Sequence, residues 1–142
     1  ISSILPEIEA FGKPLSDVVI MASLLEREAN TTEDRRMIAG VLWNRLERKM
    51  LLQVDAVFLY ILGKGTFGLT SEDLALDSPY NTYRYRGLPP GPIGSPSLDS
   101  LRSAVTPVHH TYLFYLADKN HVTYYSKTYE EHLIKKAKYI GT

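Results

Sequence analysis

Two glutamates stand one residue apart in the segment Leu24-Leu25-Glu26-Arg27-Glu28, within a stretch that is otherwise largely apolar. Apolar surroundings disfavour an ionised carboxyl, so its pKa rises toward neutrality, which is where a general acid must titrate. On a helix turning about 100° per residue the two side chains point about 160° apart, so a given cleft receives only one of them. Glu26 falls inside the arc of Leu15 and Val19, and Glu28 sits beside Met21. Spacing alone does not choose between them. Each also has a plainer reading, as the ion-pair partner of an arginine such as Arg35, Arg36 or Arg45, or as the solvated end of a helix.

A second concentration of chemistry lies at residues 79–96, where eight of eighteen positions are Pro or Gly and the gaps hold Tyr80, Asn81, Tyr83, Arg84, Tyr85, Arg86, Leu88 and Ile93. Such a segment forms neither a helix nor a central strand. A flexible linker would be filled with Ser, Glu or Lys, so aromatic and hydrogen-bonding side chains on this stiff backbone predict an ordered surface loop. Flat apolar faces beside hydrogen-bonding groups suit a sugar, whose ring has apolar faces and a rim of hydroxyls. The plainer reading is a loop that merely packs on the domain. Other constellations fall away. His109, His110, His121 and His132 lack zinc-ligand spacing, no acidic run resembles a calcium loop, and the glycines around Lys64 are out of order for a phosphate loop. No Gly-x-Ser-x-Gly elbow is present. No metal or cofactor is expected.

The elements that must position these residues read as an α+β domain. Residues 16–29 predict a helix with Leu15, Val18, Ala22, Leu25 and Ala29 on one face. Ile20, Met21 and Leu24 carry apolar character round the rest of it, as in a helix buried centrally in its domain. A second helix is expected from Thr31 to Asp34 through about Arg48, forming a helical hairpin with the first. Residues 51–55 read as an extended link, 56–62 as a short helix closed by Gly63, and 71–76 as a turn or short helix. A helix at 97–105 ends before Pro107, β-rich runs at 112–117 and 121–126 flank a turn at Asp118-Lys119-Asn120, and a capping box at Thr128-Tyr129-Glu130-Glu131 opens a last helix through Tyr139.

Composition bounds the rest. Sixteen basic and sixteen acidic side chains leave no surplus of cations for phosphate binding, so nucleic acid is not the expected partner. Absence of cysteine excludes disulfides and thiol nucleophiles. No apolar run reaches the roughly 18 to 20 residues of a membrane span, and the start lacks an initiator Met, so the chain 1–142 is expected to be one domain of a longer protein. Ten Tyr stand against four Phe and one Trp.

In order along the chain come Ala22-Ser23-Leu24-Leu25-Glu26-Arg27-Glu28, Asn44-Arg45-Leu46, Leu52-Gln53-Val54-Asp55, Ser78-Pro79-Tyr80-Asn81-Thr82-Tyr83, Gly87-Leu88-Pro89-Pro90-Gly91-Pro92-Ile93 and Tyr112-Leu113-Phe114-Tyr115. This series resembles the catalytic domain of the endolytic murein transglycosylases, the MltG or YceG-like family, over nearly the whole chain. The resemblance implies a bacterial envelope enzyme carried by an N-terminal membrane anchor outside this chain, on the extracytoplasmic face, working on peptidoglycan strands beside the cell-wall synthases. It implies non-hydrolytic cleavage of the MurNAc-β-1,4-GlcNAc bond to 1,6-anhydro ends by a single carboxyl, with no second carboxylate needed. It places that acid on Glu28 and a further active residue on Tyr83. Gln53, Asn81, Tyr80 and Arg45 are the expected substrate-binding residues. Arg27 stands where the family commonly has Lys. A hydrolytic muramidase and a glycan-binding module without turnover are the alternative expectations.

Overall fold

The computed structural model describes residues 3–141. Among the described residues seven α-helices, a 3-10 turn and one β-hairpin follow in the order α1 (Leu5–Phe11), α2 (Leu15–Glu28), α3 (Thr32–Glu47), α4 (Ala56–Leu62), the 3-10 turn (Thr66–Gly68), α5 (Ser71–Leu74), α6 (Leu98–Val105), β1 (Phe114–Ala117), β2 (Thr123–Ser126) and α7 (Tyr129–Tyr139). The class is α+β, as expected. Two elements are additions. The stretch read as a lead-in is helix α1, opened by Pro6 in its first turn and closed by Gly12 in the left-handed region at φ 87°, and Thr66–Gly68 winds as a 3-10 turn. Neither is long enough to show a hydrophobic period.

Helix α2 is the centre of the molecule. Val18, Ile20, Met21, Ala22, Ser23, Leu24 and Leu25 are all buried, covering most of its circumference. Leu15, read as part of the apolar stripe, is 47% exposed because it lies at the first turn, beyond the packed region. Helices α2 and α3 do touch, but α6 packs across both of them. The result is a three-helix layer rather than a simple hairpin.

The core side chains form one contiguous cluster: Met21, Leu24 and Leu25 of α2, Ile38, Ala39 and Leu42 of α3, Leu52 and Val54 of the link, Val57 and Phe58 of α4, and Leu101 and Ala104 of α6. Side-chain caps define where several helices start. Thr31 accepts the Asp34 N–H at 3.1 Å to open α3, and Ser97 accepts the Ser100 N–H at 3.1 Å to open α6. Thr128 and Glu131 close a reciprocal capping box at α7. Each satisfies backbone donors that the first turn leaves free.

Residues 79–96 contain no helix or strand. Their hydrogen bonds run inward: the Ile93 N–H donates to the buried Ser23 hydroxyl at 3.1 Å, and Thr82 receives the Val54 N–H at 2.9 Å. The loop is thereby tied to α2 and to the link before α4. Strands β1 and β2 pair antiparallel, with Tyr115 opposite Tyr125, and α7 folds back on the hairpin.

Candidate acid–base site

Glu28 is the last residue of α2, where the chain turns extended at Ala29, φ -146° and ψ 153°. Its carboxyl is directed at the start of α4 and at β1. The Tyr115 hydroxyl donates to Glu28 Oε1, and the Ala56 N–H also faces the carboxyl. Burial pushes its pKa up; the Tyr115 and Ala56 donors oppose that, the nearby Asp55 charge reinforces it, and the balance comes to about 7. Near neutrality such a group is populated in both forms, so it can deliver a proton and take one back.

Glu26, two residues earlier, faces the other way and meets α6. Its Oε1 accepts the Ser97 N–H at 2.8 Å and the Ser100 hydroxyl at 2.7 Å, and Arg35 lies 3.7 Å from Oε2. The Ser97 backbone bond, then the serine hydroxyls and Arg35, hold its pKa down at about 2. The paired, structural reading of a glutamate therefore applies to Glu26, with Arg35 as the arginine. Arg36 instead donates to the Thr106 carbonyl at 2.6 Å.

A second carboxyl, one that the single-carboxyl expectation did not require, stands near Glu28. Asp55 precedes α4 but makes no side-chain cap to it. Its carboxylate instead accepts the Tyr83 hydroxyl, and Thr66 lies against it. Burial raises its pKa, while Tyr83, Thr66 and the charge of Lys136 on α7 oppose the rise. Tyr83 and Tyr115 are both pushed above the ordinary phenol range, first by burial and then by the carboxylates they face, so both stay protonated donors. The site is thus two phenol–carboxyl pairs side by side, Tyr115 with Glu28 and Tyr83 with Asp55.

The remaining sequence candidates separate into frame and surface. Arg45 is only 5% exposed. Its Nε donates to the Leu113 carbonyl at 2.6 Å, its Nη1 donates to the Leu52 carbonyl at 2.8 Å, and the guanidinium lies 5.1 Å from the centre of the Phe114 ring. It ties α3 to the link and to the segment entering β1. Asn81 is fully buried. Its amide donates to Leu74 and Leu76 carbonyls at 3.0 and 2.8 Å, and its Oδ1 accepts the Tyr83 N–H at 2.9 Å. That amide holds the loop in shape, with both of its N–H donors given to backbone carbonyls. Gln53 is exposed with φ 52°, a left-handed conformation uncommon outside glycine, and its N–H is bonded to the Thr82 carbonyl at 3.1 Å. Tyr80 lies against Tyr60, ring centres 5.1 Å apart.

Tyr115 and Asp55 are the residues that sequence reasoning did not single out. Both lie in quoted motifs, Tyr112-Leu113-Phe114-Tyr115 and Leu52-Gln53-Val54-Asp55, but contacts across 87 and 28 residues are not legible from local spacing. Among the described residues no group of three His, Cys, Asp or Glu could hold a metal ion.

The structure is thus an α+β, mostly helical domain that holds one partly buried carboxyl, its pKa raised, beside a second. The chain belongs to the YceG-like family, whose model matches residues 5–138. It is similar to an endolytic murein transglycosylase of Bacillus subtilis, 44% identical over 88% of this chain and 35% of that protein. It is likewise similar to one of Streptococcus pneumoniae, 38% identical over 95% of this chain and 26% of that protein. A crystal structure of a yceG-like protein from Listeria monocytogenes superposes with a TM-score of 0.88 at 42% identity, covering 96% of this chain and 45% of that one. The chain therefore spans about a third or less of the curated relatives.

Proposed function

We propose that this chain is the catalytic part of an endolytic murein transglycosylase in which Glu28 is the acid and then the base. The observation that carries this reading is the Glu28 carboxyl, set at the end of a buried helix, held by Tyr115 and brought to a pKa of about 7. The names of the relatives supply the reaction class.

The chemistry needs no water. Protonated Glu28 delivers its proton to the bridging oxygen as the bond from the muramyl anomeric carbon to that oxygen breaks. Positive charge develops on the sugar ring. The now ionised Glu28 removes the proton from the muramyl C6 hydroxyl, whose oxygen closes on the anomeric carbon and leaves a 1,6-anhydro end. One carboxyl is restored to its starting state. The Tyr83 and Tyr115 hydroxyls orient the carboxyls, while the exposed Gln53 and the partly buried Tyr80 are assigned to the glycan. Arg45 and Asn81 act on the frame. A domain with this activity works in the cell envelope on the extracytoplasmic face, beside the synthases that make the strands and carried by an anchor outside this chain.

The second carboxyl, Asp55, favours one other reading, a hydrolytic muramidase in which paired carboxyls activate water. Mass spectrometry of the released glycan separates the two. The transglycosylase reading requires ends lighter by one water than reducing ends; reducing ends alone would overturn it.

A further inference from the structure

We infer that Asp55 is a positioning residue for the acid: it anchors the Tyr83 hydroxyl beside the site and places a second negative charge against Glu28. The inference rests on the reading of Glu28 as the acid and goes beyond it. Asp55 is at the position before a helix where a carboxylate ordinarily caps the first turn, yet it makes no such bond. Its side chain turns instead to Tyr83 of the loop and Thr66 of the 3-10 turn. Gln53, two residues before it, keeps a left-handed backbone that local sequence does not favour, and the intervening Val54 is locked to the Thr82 hydroxyl at 2.9 Å. Constraint thus surrounds a carboxylate that does not stabilise its own helix.

The groups facing the pair come from every neighbouring element. Glu28 ends α2, the Ala56 N–H opens α4, Tyr115 is on β1, Tyr83 is on the loop, and Arg45 of α3 faces the two phenols from below. Lys136 of α7 acts on Asp55. The two carboxyls therefore differ. Asp55 has the hydrogen bonds and the cation that favour its charged form, whereas Glu28 is more deeply desolvated and meets the Asp55 charge. The first proton lost from the pair leaves Asp55, and its charge then keeps the second proton on Glu28, as the acid step requires.

Carbon-13 titration of the labelled carboxyls tests this in the chain itself. In the wild type the Glu28 curve should show two steps, the lower one coinciding with the titration of Asp55. Independent single-step curves would overturn the inference. In Asp55→Asn, which keeps an oxygen acceptor for Tyr83, the Glu28 titration should move down by about one unit, the scale of a nearby like charge. The alkaline limb of kcat/KM should move with it, lowering kcat/KM at pH 7 by about fivefold and restoring most of it near pH 5. A uniform loss at every pH with the limb unmoved would reduce Asp55 to a structural part. The wild-type titration does not depend on the variant folding. It also stands apart from the catalytic reading, since coupled carboxyls would still be seen if Glu28→Gln proved active.

Discussion

Glu26 and Glu28 share a helix and a residue type but have opposite electrostatic fates, because donors outweigh burial at the first and burial outweighs donors at the second. The difference has a sign in stability. Glu28 binds its proton more tightly when folded, pKa about 7, than an exposed glutamate does. Its contribution is therefore fully present below the unfolded pKa and is lost as pH rises from about 4.5 through 7, since the unfolded chain then holds fewer protons. Glu28→Gln removes that loss, and urea unfolding at pH 8 should find the variant more stable than wild type by about 2 to 3 kcal/mol, with little difference at pH 4. Glu26 is the reverse case. Its depressed pKa supplies stability above the unfolded value that disappears as pH falls toward about 2. Glu26→Gln keeps the shape but weakens two charge-assisted bonds to α6, so a loss of about 1 to 2 kcal/mol at pH 7 is expected by the same unfolding measurement.

At the scale of elements, α3 has a requirement that its own sequence does not display. Gly40 lies where the segment after α6 crosses the helix, and a Cβ there would fall 2.4 Å from the Val108 carbonyl oxygen and 2.6 Å from His110 Nε2. That crossing leads the chain to β1, and so to Tyr115. Gly40→Ala gains helix propensity but forces the crossing outward, and the net effect should be a destabilisation of about 1 to 3 kcal/mol, seen as a lower thermal midpoint. Much of the helical frame was legible for ordinary physical reasons: α2 has its apolar circumference, α4 has Gly63 as a stop, and α6 and α7 have Ser97 and Thr128 as caps. Helix α1 was not: it buries only Ile8 within its seven residues, whereas the equally short α4 carries an almost unbroken apolar run. The packing of α6 across α2 and α3 was also hidden. It depends on Ser100, Glu26, Arg35 and Asp99 meeting across 64 to 74 residues.

For the whole molecule, residues brought from α2, the link before α4, the loop and β1 converge where none of those segments could build a site alone. The order of the motifs along the chain was readable, and it singled out Glu28 through resemblance. Their convergence was not: nothing local tells that the Nδ2 donors of Asn81 and the Nε and Nη1 of Arg45 go to carbonyls of the frame, or that Asp55 stands beside Glu28. Helical geometry could say that Glu26 and Glu28 point apart; only the neighbours of each say which one is held near neutrality. The tyrosines divide in the same way. Tyr83 and Tyr115 face carboxyls of the site, whereas Tyr125 donates to Asp34 at 2.8 Å and Tyr124 stacks on Tyr139 with ring centres 3.8 Å apart, binding the hairpin to α3 and α7.

The central claim, that Glu28 carries the proton, is tested most directly by the rate at which Glu28→Gln forms 1,6-anhydro ends from nascent, uncrosslinked glycan strands, measured beside wild type and Glu26→Gln. Loss of a general acid and base should lower that rate by about 10² to 10⁴-fold or more, while Glu26→Gln, once shown to be folded, stays within a few fold of wild type. Anhydro ends appearing at near wild-type rate in Glu28→Gln, or lost only in a well-folded Glu26→Gln, would contradict the account.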